Sequence, residues 1–269
     1  MSFSVLLSVH FAENSVYLRQ ALTSIWDEQT LKPDQIVLVK DGPLTPELEA
    51  EIARWLGRLQ DVMTVVALPR NVGLGAALNE GLEACEYELV ARMDTDDVAF
   101  GERFAKQVAF MNMNPEVVAC SAALEEWDEK LETRLGCRRL PCEPDKLFRF
   151  AKCRSPLSHP LVFLRKSVVQ AVGGYPPLRK AQDHALWSLL LSKGYALANL
   201  PEVLLKMRTG NELLERRGWD YFREEYRLIR YQRSIGFLSA MQYYANIFLR
   251  ACLRLSPNSI KRLAYRLAR

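Results

Sequence analysis

Short apolar runs alternate with longer amphipathic stretches along the first part of the chain. Four runs rich in Val, Leu and Ile have the length of strands buried on both faces: 3–9, 35–39, 62–68 and 88–91. In the intervals, beginning at Ser15, at Pro46 and near Gly75, apolar residues recur three and four positions apart, which is typical of helices. This alternation predicts an α/β fold in which helices flank a mostly parallel sheet.

The second part of the chain continues with less regular elements. Its pattern predicts further helices at 100–114, 143–152, 165–172 and 181–193, and strands at 117–127, in a weaker run to 138, and at 202–208. The spacing after residue 210 is helical. We therefore predict one domain over 1–210 and a helical tail over 211–269.

Residues able to bind charged ligands follow the predicted strands. In parallel α/β sheets, ligands bind beyond the carboxyl ends of the strands. We therefore expect these residues to converge on one edge of the sheet. They are Ser8, His10, Asp41, Arg70, Asn71, Asp94, Asp96 and Asp97.

The segment Asp94-Thr95-Asp96-Asp97 places three carboxylates within four positions. Neighbouring carboxylates repel one another unless a cation neutralises them, and oxygen ligands on a short loop suit Mg²⁺ or Mn²⁺. Taken alone, the segment is more typical of a polar turn or a helix cap. Its predicted position beside the other strand ends favours a metal site.

The net charge of +4 conceals an asymmetry. The segment 227–269 contains nine Lys and Arg and no Asp or Glu, so it carries +9 and the other 226 residues carry −5. A basic tail indicates an anionic partner, either lipid headgroups or nucleic acid. No nucleic-acid recognition fold accompanies the charge, which favours an anionic membrane surface over nucleic acid.

The tail also carries one apolar helical stripe. The uncharged stretch 234–249 is too short to span a bilayer. A basic amphipathic helix is instead predicted to lie on an anionic leaflet, and the alternative is a helix packed on the domain. The stripe consists of Leu238, Met241, Ala245, Phe248, Cys252 and Leu255, and it repeats after Pro257 at Ile260, Leu263, Ala264, Leu267 and Ala268.

The cysteines and the N-terminus indicate a cytosolic protein. Six cysteines without a C-x-x-C pair are predicted to be reduced and mostly buried. The first nine residues lack the basic start and the cleavage site of a signal peptide and are predicted to be a strand. The sequence also has no dinucleotide G-x-G-x-x-G motif, Walker loop, H-E-x-x-H motif or G-x-S-x-G motif.

Six motifs in order across residues 3–210 resemble the family 2 glycosyltransferases of the GT-A fold. Each motif alone is weak, and their order makes the resemblance specific. The motifs are Ser8-Val9-His10 with Glu13, Leu18-x-x-Ala21-Leu22-x-Ser24-Ile25-x-x-Gln29-Thr30, Val39-Lys40-Asp41-Gly42, Asn71-x-Gly73-Leu74-x-x-Ala77-Leu78-Asn79-x-Gly81, Met93-Asp94-x-Asp96-Asp97 and Gln182-Asp183-x-x-Leu186-Trp187.

The resemblance implies a role for each matched residue in binding the donor. Asp41 would accept a hydrogen bond from the uracil N–H, and Ser8 and His10 would line the base pocket. Asp94 would face the ribose and share the metal with Asp96. Asp97 would support the metal site or bond a donor-sugar hydroxyl, and Arg70 and Asn71 are candidate contacts for phosphate or base.

For the acceptor, the resemblance implies that Asp183 is the catalytic base. It would deprotonate the acceptor hydroxyl while the metal stabilises the departing nucleoside diphosphate, so that the anomeric centre inverts. His159 and Arg208 are candidate contacts for the acceptor or for phosphates. At the predicted start of a helix, Asp183 could instead be only a cap.

The pattern looks most like bacterial O-antigen, capsule or exopolysaccharide transferases. Those enzymes would transfer glucose or galactose from a UDP-sugar to a polyprenyl-diphosphate-linked GlcNAc or GalNAc through a β-1,3 linkage. The implied location is the cytoplasmic face of the inner membrane. A sugar-1-phosphate nucleotidyltransferase and a catalytically silent membrane scaffold remain as alternatives, although 9–13 lacks the Gly-rich basic loop of the former.

Overall fold

Nine strands form one sheet in the computed structural model of the protein, which describes residues 2–209 and 219–255. The strands are β1 (Phe3–Val9), β2 (Gln35–Lys40), β3 (Met63–Ala67), β4 (Leu89–Arg92), β5 (Val98–Ala99), β6 (Val117–Trp127), β7 (Arg134–Arg138), β8 (Phe163–Arg165) and β9 (Ala196–Arg208). The α-helices are α1 (Ser15–Trp26), α2 (Pro46–Leu59), α3 (Leu74–Ala84), α4 (Arg103–Met113), α5 (Pro144–Ala151), α6 (Lys166–Ala171), α7 (Gln182–Ser192), α8 (Trp219–Ser234) and α9 (Ala240–Leu255).

The four strands predicted from the first part of the chain lie side by side and parallel, in the order β3-β2-β1-β4. This arrangement confirms the predicted α/β architecture and brings the four carboxyl ends to one edge. Beyond β4 the sheet becomes mixed: β8 pairs antiparallel with both β4 and β6, while β6 pairs parallel with β9. The short strands β7 and β5 add antiparallel pairs to β6 and β9.

Several element bounds differ from those predicted. The strand predicted at 202–208 begins at Ala196, because β9 pairs with β6 over nearly its whole length. The helix predicted from residue 100 begins at Arg103, and the pattern did not predict the two-residue strand β5. The expectation of mostly buried thiols is wrong, since Cys137, Cys142 and Cys153 are exposed and only Cys85 and Cys120 are buried among the described cysteines.

The core has two parts, one on each face of the sheet. Alternate residues of β1 point to opposite faces, so Val5 and Leu7 join the cluster with α1 and α2, whereas Leu6 joins the cluster with α3 and α7. On the second face α3 lies very close to the sheet. A Cβ atom at Gly81 would lie 2.4 Å from Leu6 Cδ1 and 2.6 Å from Val39 Cγ2, so this close approach requires glycine.

Local sequence explains where the first helices begin. The Asn14 side chain accepts hydrogen bonds from the N–H groups of Val16 and Tyr17 at the start of α1. Thr45 caps α2, whose first residue is Pro46. Because each helix starts shortly after a strand, the connecting loops are short and remain at the edge where the parallel strands end.

The two C-terminal helices pack on the domain through one face. Gln232 of α8 donates a hydrogen bond of 2.8 Å to Ser188 of α7, and Asn246 of α9 donates one of 3.1 Å to the Lys152 carbonyl. Leu238, between the two helices, is fully buried. This packing is the predicted alternative for the tail; the predicted basic and apolar positions at 257–269 lie outside the described residues.

The opposite face of α9 is apolar and exposed. Its positions 241, 244, 248 and 249 carry Met, Tyr, Phe and Leu with 50–83% of their surface accessible. Thus part of the predicted apolar stripe does not contact the domain. No helix within residues 2–209 and 219–255 has the length and apolar character needed to cross a membrane.

Candidate active site

Three carboxylates gather directly after β4. One oxygen from each of Asp94, Asp96 and Asp97 lies within 4.8 Å of the others, a spacing that a single divalent cation can bridge. Burial, together with the negative charges of Asp94 and Glu13, raises the pKa of Asp96 to about 7. The Oδ2 atom of Asp97 is buried and has no hydrogen-bond partner among the residues that the structure describes. A hard cation would satisfy that oxygen and offset the repulsion, so these residues fit Mn²⁺ or Mg²⁺.

A buried arginine lies beneath the acidic cluster. Arg92, the last residue of β4, is 2% exposed, and its Nη2 donates to Oδ1 of Asp94. Its Nε and Nη1 atoms have no hydrogen-bond partner within residues 2–209 and 219–255. Burial would lower the pKa of Arg92, but the charge and hydrogen bond of Asp94 outweigh that effect and keep the pKa above its usual range. The positive charge of Arg92 therefore neutralises part of the negative charge of the acidic cluster.

A second arginine fixes the backbone at this point. Arg103 of α4 is fully buried and donates to the Arg92 carbonyl at 2.6 Å and to Met93 Sδ at 3.0 Å. Burial and the charge of Arg92 lower the pKa of Arg103 to about 9. Its hydrogen bond to Gln107 completes a polar group that holds the end of β4. The sequence pattern did not reveal either arginine as part of the site.

The end of β1 approaches the same carboxylates. His10 Nδ1 lies 3.1 Å from Glu13 Oε1. Burial, followed by the charge of Asp94, raises the pKa of Glu13, while His10 lowers it. Glu13 therefore lies within electrostatic reach of the acidic cluster and links it to His10. The predicted base-pocket residue Ser8 is half-buried at the end of the same strand.

Asp41, at the end of β2, organises the loop that follows β3. Its carboxylate accepts hydrogen bonds from the N–H groups of Val72 at 2.7 Å and Gly73 at 3.1 Å. Asn71 donates from its side chain to the Asp41 carbonyl at 3.3 Å. Asp41 and Asn71 are thus brought together as predicted. Arg70 lies in the same loop, where it is exposed to solvent.

Asp183 lies in the first turn of α7, as predicted. Its Oδ2 accepts a hydrogen bond of 3.2 Å from Ser155 Oγ. Among the described residues, the Asp183 carboxylate accepts no hydrogen bond from the N–H groups of α7, so it does not cap the helix. The charges of Asp183 and Asp94 both act on the buried phenol of Tyr175. Burial is the main reason that its pKa is raised, Arg92 opposes the shift, and the two carboxylates add to it. Tyr175 therefore lies within electrostatic reach of both the acidic cluster and Asp183.

His159 contacts the hydroxyl of Tyr175. Its Nε2 lies 3.0 Å from the Tyr175 hydroxyl, and burial together with the charge of Arg92 holds the pKa of His159 well below its usual range. The lowered pKa favours the neutral imidazole, and His159 lines the same cavity as Asp183. Tyr175 lies outside the motifs recognised in the sequence.

Arg208, at the end of β9, wraps around the acidic loop. Its backbone N–H donates to Asp97 Oδ1 at 2.9 Å, and its guanidinium donates to the Asp96 carbonyl and to Gln20 Oε1. The guanidinium also lies 4.1 Å from the ring centroid of Tyr17. In this arrangement Arg208 supports the metal-site loop; its predicted contact with the acceptor stays a prediction.

Comparison with known proteins identifies the family of the chain. The family model for Glycosyl transferase family 2 matches residues 4–172. The amylovoran biosynthesis glycosyltransferase AmsE of Erwinia amylovora is 40% identical over 98% of this chain and 97% of its own. The UDP-Gal:alpha-D-GlcNAc-diphosphoundecaprenol beta-1,3-galactosyltransferase of Escherichia coli is 32% identical over 98% of this chain and 95% of its own.

Solved structures share the fold. Residues 1–349 of S. aureus TarS, in complex with UDP-GlcNAc, align with a TM-score of 0.66 at 19% identity, covering 94% of this chain and 73% of theirs. The chain therefore has the fold of the GT-A glycosyltransferases. Within that class, the chain belongs to glycosyltransferase family 2.

Proposed function

We propose that the protein transfers a hexose, glucose or galactose, from a UDP-sugar to a polyprenyl-diphosphate-linked sugar, with inversion and with a divalent cation. The observation that carries the proposal is that two carboxylate sites act on the same buried phenol, that of Tyr175, whose hydroxyl lies 3.0 Å from His159 in the wall of the cavity that also contains Asp183. One is the cluster of Asp94, Asp96 and Asp97, and the other is Asp183. A glycosyl transfer needs a leaving-group site and a base at neighbouring positions.

The donor would occupy the edge formed by β1, β2 and β4. Asp41 already holds the loop after β3, and its carboxylate retains lone pairs that can accept the uracil N–H. Asp96 and Asp94 would hold the cation against the diphosphate. That cation would neutralise charge on the departing UDP. A structure of the same fold, the mannosyltransferase PcManGT, contains GDP-Man and Mn²⁺.

Asp183 would act as the base. The acceptor hydroxyl oxygen forms a bond to the anomeric carbon as its proton passes to Asp183. The bond from that carbon to the UDP oxygen breaks, and its electron pair remains on the β-phosphate. Attack from the face opposite the leaving group converts an α-linked donor into a β-linked product. The Ser155 hydroxyl orients the Asp183 carboxylate for this transfer.

The acceptor is proposed from relatives and from surface character. The galactosyltransferase relative is named for an undecaprenol-linked GlcNAc diphosphate, and AmsE for amylovoran biosynthesis. We therefore infer a β-1,3 linkage to GlcNAc or GalNAc in O-antigen or exopolysaccharide synthesis. The exposed apolar face of α9 would lie on the cytoplasmic leaflet of the inner membrane, with the basic part of the tail attracted to its anionic lipids.

Two substitutions separate this function from a silent scaffold. With Asp183→Asn we expect transfer to fall by about a hundredfold or more, while UDP binding by calorimetry is retained, because only proton removal is lost. With Asp96→Asn we expect UDP binding to lose its dependence on Mn²⁺. Asp145→Asn, at an exposed acid in the first turn of α5, is the matched control and should be unchanged. Full transfer by both active-site variants would exclude the proposed mechanism.

A further inference from the structure

A large cavity of about 770 Å³ opens beside Asp183, between the domain and the two C-terminal helices. Its wall carries an excess of positive charge: six cationic side chains and two carboxylates leave a formal charge of +4. The cations are Arg138, Lys152, Arg154, Lys180, Arg250 and Arg254, and the carboxylates are Asp183 and Glu225.

Most of these cations already have partners. Arg250 and Arg254 both pair with Glu225, and Lys152 donates to the Phe237 carbonyl at 2.7 Å. Arg154 and Lys180 differ, since neither forms an ion pair with a carboxylate among the residues that the structure describes. Both side chains are exposed to the cavity and can accept an anion without breaking an existing pair.

The two cations line the same cavity as the proposed base and are close to its site in sequence. Arg154 immediately precedes Ser155, whose hydroxyl donates to Asp183, and Lys180 lies three residues before Asp183. Lys180 is held at 5.4 Å from the ring centroid of Tyr221 on α8, so its ammonium lies at the border between the domain and the tail. An anion bound between these side chains would lie next to the hydroxyl that Asp183 deprotonates.

We propose that this cavity binds the diphosphate of the lipid-linked acceptor, with Arg154 and Lys180 as its principal contacts. The proposal rests on the proposed transferase function and adds the part of the substrate that this protein recognises. A diphosphate diester carries two negative charges, and charge-assisted hydrogen bonds from guanidinium and ammonium groups are the strong contacts for phosphate. The cavity wall lacks Asp94, Asp96 and Asp97, so it is separate from the place proposed for the donor diphosphate.

Helix α9 connects this cavity to the proposed membrane surface. Its inner face contributes Asn246 and Arg250 to the cavity, whereas Met241 and Phe248 on its outer face are 83% and 73% exposed. One helix thus borders a cationic cavity on one side and presents apolar side chains on the other. This is the arrangement required for a lipid whose diphosphate enters the protein while its chain remains in the bilayer.

The test compares acceptors that differ only in phosphate: GlcNAc joined to one alkyl chain through a diphosphate, through a monophosphate, or directly. For the diphosphate acceptor, we expect Arg154→Ala and Lys180→Ala each to lower kcat/KM by about ten- to a hundredfold, the loss typical of one charge-assisted contact. The KM for the UDP-sugar should not change. With the phosphate-free acceptor, wild type and variants should be equally slow.

Arg179→Ala is the matched control, because Arg179 is an exposed neighbour of Lys180 that does not line the cavity. Equal losses for all three acceptors, or for Arg179→Ala, would overturn the proposal. So would loss of binding to phosphatidylglycerol vesicles without discrimination between acceptors, since the cations would then bind lipid headgroups.

A direct binding measurement separates this proposal from the proposed function. Calorimetry of the full-length protein with the alkyl diphosphate sugar, in the absence of donor, should show binding that Arg154→Ala weakens by tenfold or more. If no nucleotide sugar is transferred but this binding is observed, the transferase assignment fails and the diphosphate site stands. If transfer occurs but the diphosphate does not contribute to binding, the proposed diphosphate site is refuted and the proposed transferase function stands.

Discussion

Replacing Arg92 with methionine tests whether the acidic cluster depends on the cation beneath it. The substitution keeps a long apolar side chain and removes the guanidinium that contacts Asp94. Asp94 and Asp97 would then remain without their internal positive charge. We expect lower stability in the absence of divalent cations and a larger stabilisation by Mn²⁺ than in the wild type.

The expected loss follows from the burial of the pair. Removing one partner of a buried ion pair costs about 3–5 kcal/mol. The side chain of Arg92 is 3% exposed but that of Asp94 is 35% exposed, so water reduces the penalty and the lower end, about 3 kcal/mol, applies. For a protein of this size, about 3 kcal/mol corresponds to a fall in Tm of roughly 6–12 °C.

Thermal unfolding measured with EDTA and then with Mn²⁺ provides the assay. Arg58→Met is the control, because Arg58 forms an exposed pair with Asp27, and such pairs contribute about 1 kcal/mol or less. With EDTA, the Tm of Arg92→Met should lie well below the Tm of both the wild type and the control. Saturating Mn²⁺ should reduce this difference in Tm. A Tm within about 1 °C of wild type, or an equal Mn²⁺ response, would refute the inferred charge balance.

Three further outcomes are expected. Asp41→Asn should raise the KM for the UDP-sugar about tenfold or more with a smaller change in kcat, measured by UDP release, because an amide cannot keep every acceptor position facing the Val72 and Gly73 N–H groups. Burial would raise the pKa of Glu51, but hydrogen bonds from arginines outweigh it and the pKa is lowered. Its contribution to stability is therefore present above the ordinary pKa of a glutamate, about 4.3, and lost as the pH falls through the lowered folded-state pKa, so urea unfolding of Glu51→Gln should differ from wild type near pH 7 and converge with it at acidic pH. Phe248→Glu should reduce co-sedimentation with phosphatidylglycerol vesicles while leaving transfer to a detergent-soluble acceptor unchanged, because the side chain is exposed on α9.

The strand ends illustrate what the sequence predicts well. Apolar runs followed by polar residues located β1, β2 and β4, and parallel pairing then brought Asp41 and the acidic cluster to one edge. The placement of Asp183 in the first turn of α7 likewise followed from the pattern. These features depend on local sequence and on one general rule of α/β sheets.

Other parts of the site depend on contacts that local patterns do not encode. Arg92 ends an otherwise apolar strand, and only the fold shows that its guanidinium is buried under Asp94. A charged residue inside a strand immediately before three carboxylates is the signal that could have indicated it. The cationic cavity is still harder to predict from the sequence. Arg154 and Arg250 are nearly a hundred positions apart, and they line the same cavity only because α9 packs on the domain, where Arg250 donates to the Cys153 carbonyl.

The site has opposite charges at its two ends. The proposed donor end concentrates carboxylates that fit a cation, whereas the proposed acceptor end presents arginine and lysine around Asp183. Two diphosphates can therefore be held by different means, one through a metal ion and one through side chains. This difference would keep donor and acceptor from exchanging places.

The most direct test of the central claim is the anomeric configuration of the transferred sugar. Purified full-length protein is incubated with Mn²⁺, UDP-glucose or UDP-galactose, and a GlcNAc-diphosphate lipid, and the product is examined by NMR. The account predicts a β-linked hexose from one of the two donors and no product with Asp183→Asn. An α-linked product, or no transfer from any nucleotide sugar in a wider panel, would contradict it.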